Sequence, residues 1–305
     1  MSVGAIAGLR ERVRWLMCAV IVCGLGLGAA SSVVAAGSSG AVAFRVSVFR
    51  VVDRSRTIRL PGGRRVPRSL EVVVRYPLAG GRHPVIVFAH GFALTPANYS
   101  RLLNAWVQAG YVVAAPLFPL TNANAPGGPN EADLVNQPKD MSIVIDLLLR
   151  LNRQSKGSLA GKIDPSRIAI AGQSDGGVTA LAVGYDSRFR DPRVRAAIIL
   201  SGAEMSGMGP FPRRGPPLLA VQGTADTLNA PATTSTYFGL AGRPKFLLWL
   251  VGAAHLPPYT DQQPQLGIVE RATTAFLDHY LKGRPLRLLL EAAHDSGLTN
   301  FTTDP

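Results

Sequence analysis

The sequence predicts an α/β fold, a mostly parallel central sheet with helices on both faces, and three observations carry that expectation. Short apolar runs rich in β-branched residues alternate with longer helical segments, which is the pattern of a wrapped parallel sheet. The chain has 305 residues of which 47% are hydrophobic, enough for one large core and too few for a second sizeable domain. A Gly-rich run, AGQSDGG at 171–177, sits where a strand should turn sharply into a helix.

In chain order, strands are expected at 43–52 and 70–76, joined by LPGGRR. That segment reads as a turn, so the two should form an antiparallel pair at the N-terminal edge of the sheet. Further strands are expected at 85–89, 111–115, 167–171, 196–200, 218–221 and 245–251. Helices are expected at 97–109, 140–152, 177–183, 230–240 and 268–282. The Asn-, Pro- and Gly-rich stretch 120–138 is long for an inert connection and is expected to overhang a site. Segment 204–217, with Met205, Met208 and Phe211 beside Arg213 and Arg214, is expected to form the opposite rim. Neither is long enough for a full cap domain, so an open, shallow cleft follows.

The amino terminus reads separately. Arg10, Arg12 and Arg14 precede an uncharged apolar stretch from Trp15 to about Ala30, then SSVVAAGSSG, where Val34 and Ala36 suit cleavage before Gly37. Residues 1–36 are therefore expected to be a secretory signal peptide and 37–305 a single domain. An uncleaved anchor is the alternative, because no charge falls between Arg14 and Arg45. Both cysteines, Cys18 and Cys23, lie in this leader. A cut near Ala36 leaves no thiol for a disulfide, a nucleophile or a Cys-based zinc site.

Within AGQSDGG, Ser174 is the candidate nucleophile. Gly172 and Gly176 allow the tight bend that projects its hydroxyl from the sheet edge. A serine hydroxyl is almost un-ionised at neutral pH, so it needs a base in hydrogen-bond reach and an acid that orients the base. Asp226, after the strand 218–221, and His255, after the strand 245–251, follow Ser174 in that order. All three should converge at the carboxyl ends of parallel strands. Of the five His, His83 is expected in solvent, His279 in a helix and His294 in a polar tail. His90 precedes the nucleophile, and its pairing with Gly91 points to loop shaping. Asp164, Asp186 and Asp191 stand in turn contexts, and Glu204 is the reserve acid. Asp175 is too close to Ser174 to hold the imidazole, so its backbone N–H is the expected contribution to an oxyanion hole. The second donor should be the N–H of Phe92, after VIVFAHG.

These motifs, VVVRYPL, HPVIVFAHGF, GYVVAAPLFP, AGQSDGG, QGTADTLNAP and VGAAH, resemble a secreted bacterial α/β-hydrolase of the esterase and lipase type. The similarity runs from about Arg45 to Gly283. It is nearest to the dienelactone hydrolase, chlorophyllase, platelet-activating-factor acetylhydrolase and cutinase-like polyester hydrolase group. The resemblance implies the α/β-hydrolase fold and a Ser174–Asp226–His255 triad cleaving carboxylic esters through an acyl-enzyme. Gln173 departs from the His that many relatives carry at that position, which bears on subfamily more than on catalysis. An acyltransferase acting on cell-envelope hydroxyls and a catalytically silent binding protein of the same fold remain alternatives.

No spaced His and carboxylate set implies a metal, and no cofactor is expected. Small-molecule, lipid or polymeric esters are the expected partners of a monomer. The formal charge is +13, and ten Arg fall between Arg45 and Arg82. No nucleic-acid motif accompanies them, so nucleic-acid binding is not expected. An anionic envelope surface is a candidate partner for this excess, and a solvated basic face is its plainest reading.

Overall fold

The computed structural model describes residues 33–35 and 42–305. The expected signal peptide, its cysteines and its cleavage site lie outside the described residues, apart from the backbone of 33–35. Among the described residues ten strands form one sheet, in the order β1-β2-β3-β5-β4-β6-β7-β8-β9-β10. They are β1 (Val33–Ala35), β2 (Phe44–Arg59), β3 (Arg65–Pro77), β4 (His83–Ala89), β5 (Val112–Leu117), β6 (Ile163–Gln173), β7 (Val194–Leu200), β8 (Leu218–Gly223), β9 (Lys245–Leu250) and β10 (Thr299–Asp304).

The stretch β5-β4-β6-β7-β8-β9 is parallel throughout. β2 and β3 form the expected antiparallel hairpin and attach to β5, also antiparallel. The hairpin extends well past the apolar runs that predict it, because its outer half is a polar two-stranded ribbon. β10 was not expected. It pairs antiparallel along the whole of β9, where the sequence suggests only a polar tail.

Among the described residues six α-helices cover the sheet: α1 (Ser100–Gln108), α2 (Gln137–Asn152), α3 (Asp175–Tyr185), α4 (Pro231–Leu240), α5 (Gln265–Lys282) and α6 (Arg287–Ala293). Alternation along each buried strand sends side chains to two separate cores. Ile86 and Phe88 of β4 join α1, α5 and α6 in one. Val85 and Val87 join α2, α3 and α4 in the other. α6 is the helix the sequence reading missed. Among the described residues no helix is long and apolar enough to cross a membrane.

Because β4, β6, β8 and β9 run parallel, their carboxyl ends open on one edge. The chain reverses its direction of winding at β4, whose neighbours are β5 and β6. A crevice at such a switch point is where open α/β sheets place their sites.

Candidate active site

Ser174 is the single residue between β6 and α3, with φ 56° and ψ −122°. This left-handed conformation is strained for a residue with a side chain, and close packing on both sides imposes it. A Cβ on Gly172 would lie 1.9 Å from the Gly176 carbonyl oxygen, and one on Gly176 would lie 2.0 Å from the Ala89 carbonyl oxygen. The elbow therefore presses strand, helix and the end of β4 together at distances only glycine permits.

The structure brings all three sequence-predicted polar side chains into one hydrogen-bonded line. His255 Nε2 lies 2.8 Å from Ser174 Oγ, and His255 Nδ1 lies 2.8 Å from Asp226 Oδ2. An ionised carboxylate only accepts, so Nδ1 carries the proton and donates, leaving the Nε2 lone pair to accept from the serine hydroxyl. Asp226 is 3% exposed. Burial works to raise its pKa, but bonds from His255 and the Asn229 N–H outweigh that cost and hold it below the usual carboxylate range. Its Oδ1 also accepts from Leu228 N and Asn229 N, each at 3.0 Å.

Two buried glutamines that the sequence reading did not assign roles hold this line in place. Gln222 Nε2 donates to Asp226 Oδ2 at 3.0 Å, and its Oε1 accepts from Thr234 Oγ1 of α4 at 2.7 Å. Gln173 Oε1 accepts from Tyr99 Oη at 2.7 Å, while its Nε2 donates to the His255 carbonyl at 3.0 Å. Tyr99 Oη in turn accepts from the Gly91 N–H at 3.2 Å. A buried amide with both ends used fixes the separation of three loops at once.

Asp175 directly follows Ser174, and Phe92 lines the same cleft. Asp175 opens α3, so its N–H is one of the orphan donors of a helix start. Within the described residues the Phe92 and Asp175 N–H groups have no acceptor, although Gly91 N and Ala93 N on either side of Phe92 are both bonded. The Asp175 side chain brings something further. Its Oδ2 is buried without a partner, and burial, reinforced by the nearby Glu131 charge, pushes its pKa up to about 6.

These groups share a cleft of about 490 Å³ with Leu94, Leu228, Asn229 and Leu256. Leu228 is 75% exposed. The signal available for Leu228 and Leu256 was position, since each closely follows Asp226 or His255. From the 120–138 segment Glu131 reaches the cleft, but the segment is pinned. Gln137 bridges Thr121 and Thr179, and the buried Arg68 holds Asp133 and Asp140 with bonds of 2.5–3.0 Å. Segment 204–217 does not line the cleft, contrary to expectation. Met205 packs on Val178 and Ala182 of α3 instead, and Phe211 packs against Tyr185 at 5.1 Å, because apolar side chains there find a buried helix face within reach.

The remaining candidates stay outside the line. His90 is buried and shapes its loop, with Nδ1 2.8 Å from Gly91 O and Nε2 accepting from Phe118 N at 3.2 Å; burial lowers its pKa to about 4. His83 is tied to Gly110 O at 3.0 Å rather than free in solvent. Asp164, Asp186 and Asp191 bond residues two positions on, as turns require.

The family model for chlorophyllase matches residues 43–243, a span that contains Ser174 and Asp226 and ends before His255. Chlorophyllase-1 of Arabidopsis thaliana is 28% identical over 164 residues, covering 52% of this chain and 47% of that one. Chlorophyllase-2 of the same plant is 27% identical over 183 residues, 58% of this chain and 54% of that one. Chlorophyllase type 0 of Chenopodium album is 27% identical over 166 residues, 53% and 46%. The chain thus spans about half the length of the curated relatives it matches. A solved ferulic acid esterase from Streptomyces cinnamoneus superposes with a TM-score of 0.62 at 20% identity, over 84% of this chain and 95% of that one, a likeness of fold. With two thirds of its length matched by one family model and the α/β-hydrolase architecture in place, the chain belongs to the chlorophyllase family.

Proposed function

We propose that this chain is an exported serine hydrolase of carboxylic esters, working through an acyl-enzyme. The observation that carries the reading is the pair of 2.8 Å contacts that link Ser174 and His255, which line the cleft, to the buried Asp226. Membership of the chlorophyllase family supports ester hydrolysis as the reaction class. The charged, apolar and small-residue zones of the leader support export.

In this mechanism Ser174 Oγ attacks the ester carbonyl carbon while its proton passes to His255 Nε2. The developing oxyanion accepts from the N–H groups of Phe92 and Asp175, each such donor being worth roughly 10²- to 10³-fold in rate. Asp226, kept ionised, stabilises the imidazolium. His255 then protonates the departing alkoxide as the C–O bond breaks, leaving the acyl group on Ser174. Water repeats the sequence with His255 as base and releases the acid. The apolar rim of Phe92, Leu228 and Leu256 favours substrates with a sizeable apolar part. The exposed arginines Arg54, Arg59, Arg64 and Arg65 at the far end of the β2–β3 hairpin suit attachment to an anionic envelope surface.

Rates on p-nitrophenyl esters of increasing acyl length, with a fluorophosphonate label on the native protein, test the reading. The label should attach to wild type and not to Ser174→Ala, and ester cleavage should exceed that of the variant by several orders of magnitude. A wild type no faster than Ser174→Ala would end the proposal.

A further inference from the structure

A second cavity, of about 280 Å³, lies behind the loop that carries Phe92, on the face of β2 and β3 beside the start of α1. Arg75 lines it and is 6% exposed. Its Nε donates to Asn104 Oδ1 at 3.0 Å, its Nη2 reaches Ser100 Oγ only at 3.4 Å, and its Nη1 is buried without any partner. Among the described residues Arg75 takes part in no ion pair. Burial alone lowers its pKa, the mark of a charge withdrawn from water without compensation.

The same strand provides the contrast. Arg68, 1% exposed, is held by the carboxylates of Asp133 and Asp140. A buried guanidinium left without an anion is costly, and Arg75 is in that condition beside a cavity. Among the described residues the only carboxylate lining the cavity is Glu71, and it is engaged by Arg50 at 2.6 Å. Four residues of extended strand, roughly 13 Å, separate Glu71 from Arg75, so an anion would settle at the Arg75 end. The walls between are apolar, supplied by Val48, Val73, Pro96 and Leu117.

We propose that this cavity is a binding site for a small organic carboxylate, its head on Arg75 and Ser100 and its apolar body along Val48, Val73 and Leu117. A guanidinium fork suits a planar carboxylate, and the volume, just below the usual range of ligand pockets, suits a medium-length chain of about eight carbons. The site is distinct from the Ser174 cleft, yet Thr95, Pro96 and Ala97, which line it, directly continue the Phe92–Leu94 stretch lining that cleft.

Calorimetric titration of the intact protein with octanoate tests this without any need for ester cleavage. Saturable binding is expected in wild type, weakened about tenfold or more in Arg75→Met, as for loss of a charged hydrogen bond. Val48→Trp, which fills the cavity from its exposed side, should weaken it similarly and covers the case in which Arg75→Met does not fold. Leu228→Trp, at the other cleft, should leave it unchanged. Neutral octanamide and inorganic phosphate should bind at least tenfold more weakly than octanoate. No binding to wild type, equal binding to Val48→Trp, loss in Leu228→Trp, or equal affinity for octanamide or phosphate would each overturn the proposal.

Discussion

Gln173 Nε2 donates to the carbonyl oxygen of His255 at 3.0 Å, so the residue before Ser174 holds the backbone of His255. The other end of the amide reaches Gly91, next to Phe92, through Tyr99. Gln173→Leu keeps the volume roughly and removes both bonds, freeing the elbow, the base loop and the Phe92 loop from one another. With ester substrate, kcat is expected to fall by roughly 10- to 100-fold, the scale of ångström-level misplacement, with KM little changed. Steady-state kinetics decide it, and an unaltered kcat in a folded variant would show that the loops hold their spacing without the amide.

Asp226→Asn should be far more damaging than its size implies. Leu228 N and Asn229 N donate to one oxygen of Asp226, so an asparagine would turn its carbonyl toward them and present its NH₂ to His255. The imidazole would then accept at Nδ1 and carry its proton on Nε2, facing Ser174 with a donor. A loss of roughly 10³- to 10⁴-fold in kcat is expected, while the new NH₂, which also faces the Gln222 Nε2 donor, lowers the melting temperature by a few degrees without unfolding the protein. Comparison of kcat with thermal unfolding separates this tautomer effect from general loss of structure.

Asp175 predicts a pH-dependent cost. Its native carboxyl holds a proton up to about pH 6, against a reference value of 3.8, so the folded state binds more protons than the unfolded one between those limits. Stability conferred by the protonated form is present below pH 4 and lost as pH rises through 6. Asp175→Asn removes the ionisation. Relative to wild type it should gain stability on the order of 2–3 kcal/mol more at pH 8 than at pH 4. Urea unfolding at the two pH values measures the difference, and equal offsets at both would refute it.

Arg68→Met leaves Asp140, which is fully buried, and Asp133 without their shared cation, although Arg56 still reaches Asp140. Breaking a buried pair in this way costs about 3–5 kcal/mol. Chemical denaturation should register that loss. Protease digestion should show faster cleavage within 120–138, the segment the arginine anchors, whereas a purely global effect would leave the pattern of early cuts unchanged.

Much of this molecule was legible in its sequence, for identifiable reasons. Ser174, Asp226 and His255 could be placed because each follows a short apolar strand, and parallel strands deliver their carboxyl ends to one edge. The β2–β3 hairpin was legible because LPGGRR interrupts two β-rich runs. β10 was not, since TNFTTD pairs on one side only and needs little apolar character; Phe301, stacked on Phe246 at 6.0 Å, is its one large apolar residue. The Arg68 cluster was invisible because its partners lie 65 and 72 residues away, and one arginine among ten in the region carries no mark of burial. Segment 204–217 misled for the opposite reason: Met205 and Phe211 looked available for a rim when α3 already offered them a buried surface.

Strand β10 also bears on how this protein survives in solution. The segment it covers, KFLLWL of β9, is six residues of strongly β-forming, mostly apolar chain, and β10 occupies its entire outer ladder. Stripped of that cover, β9 would present a row of unpaired N–H and C=O groups on a sticky segment, the template on which a second molecule could add its own strand. By occupying that ladder, strand β10 is expected to guard β9 against self-association. A protein shortened before Thr299 should precipitate at concentrations where the intact one stays dispersed, with its serine elbow still perfectly formed.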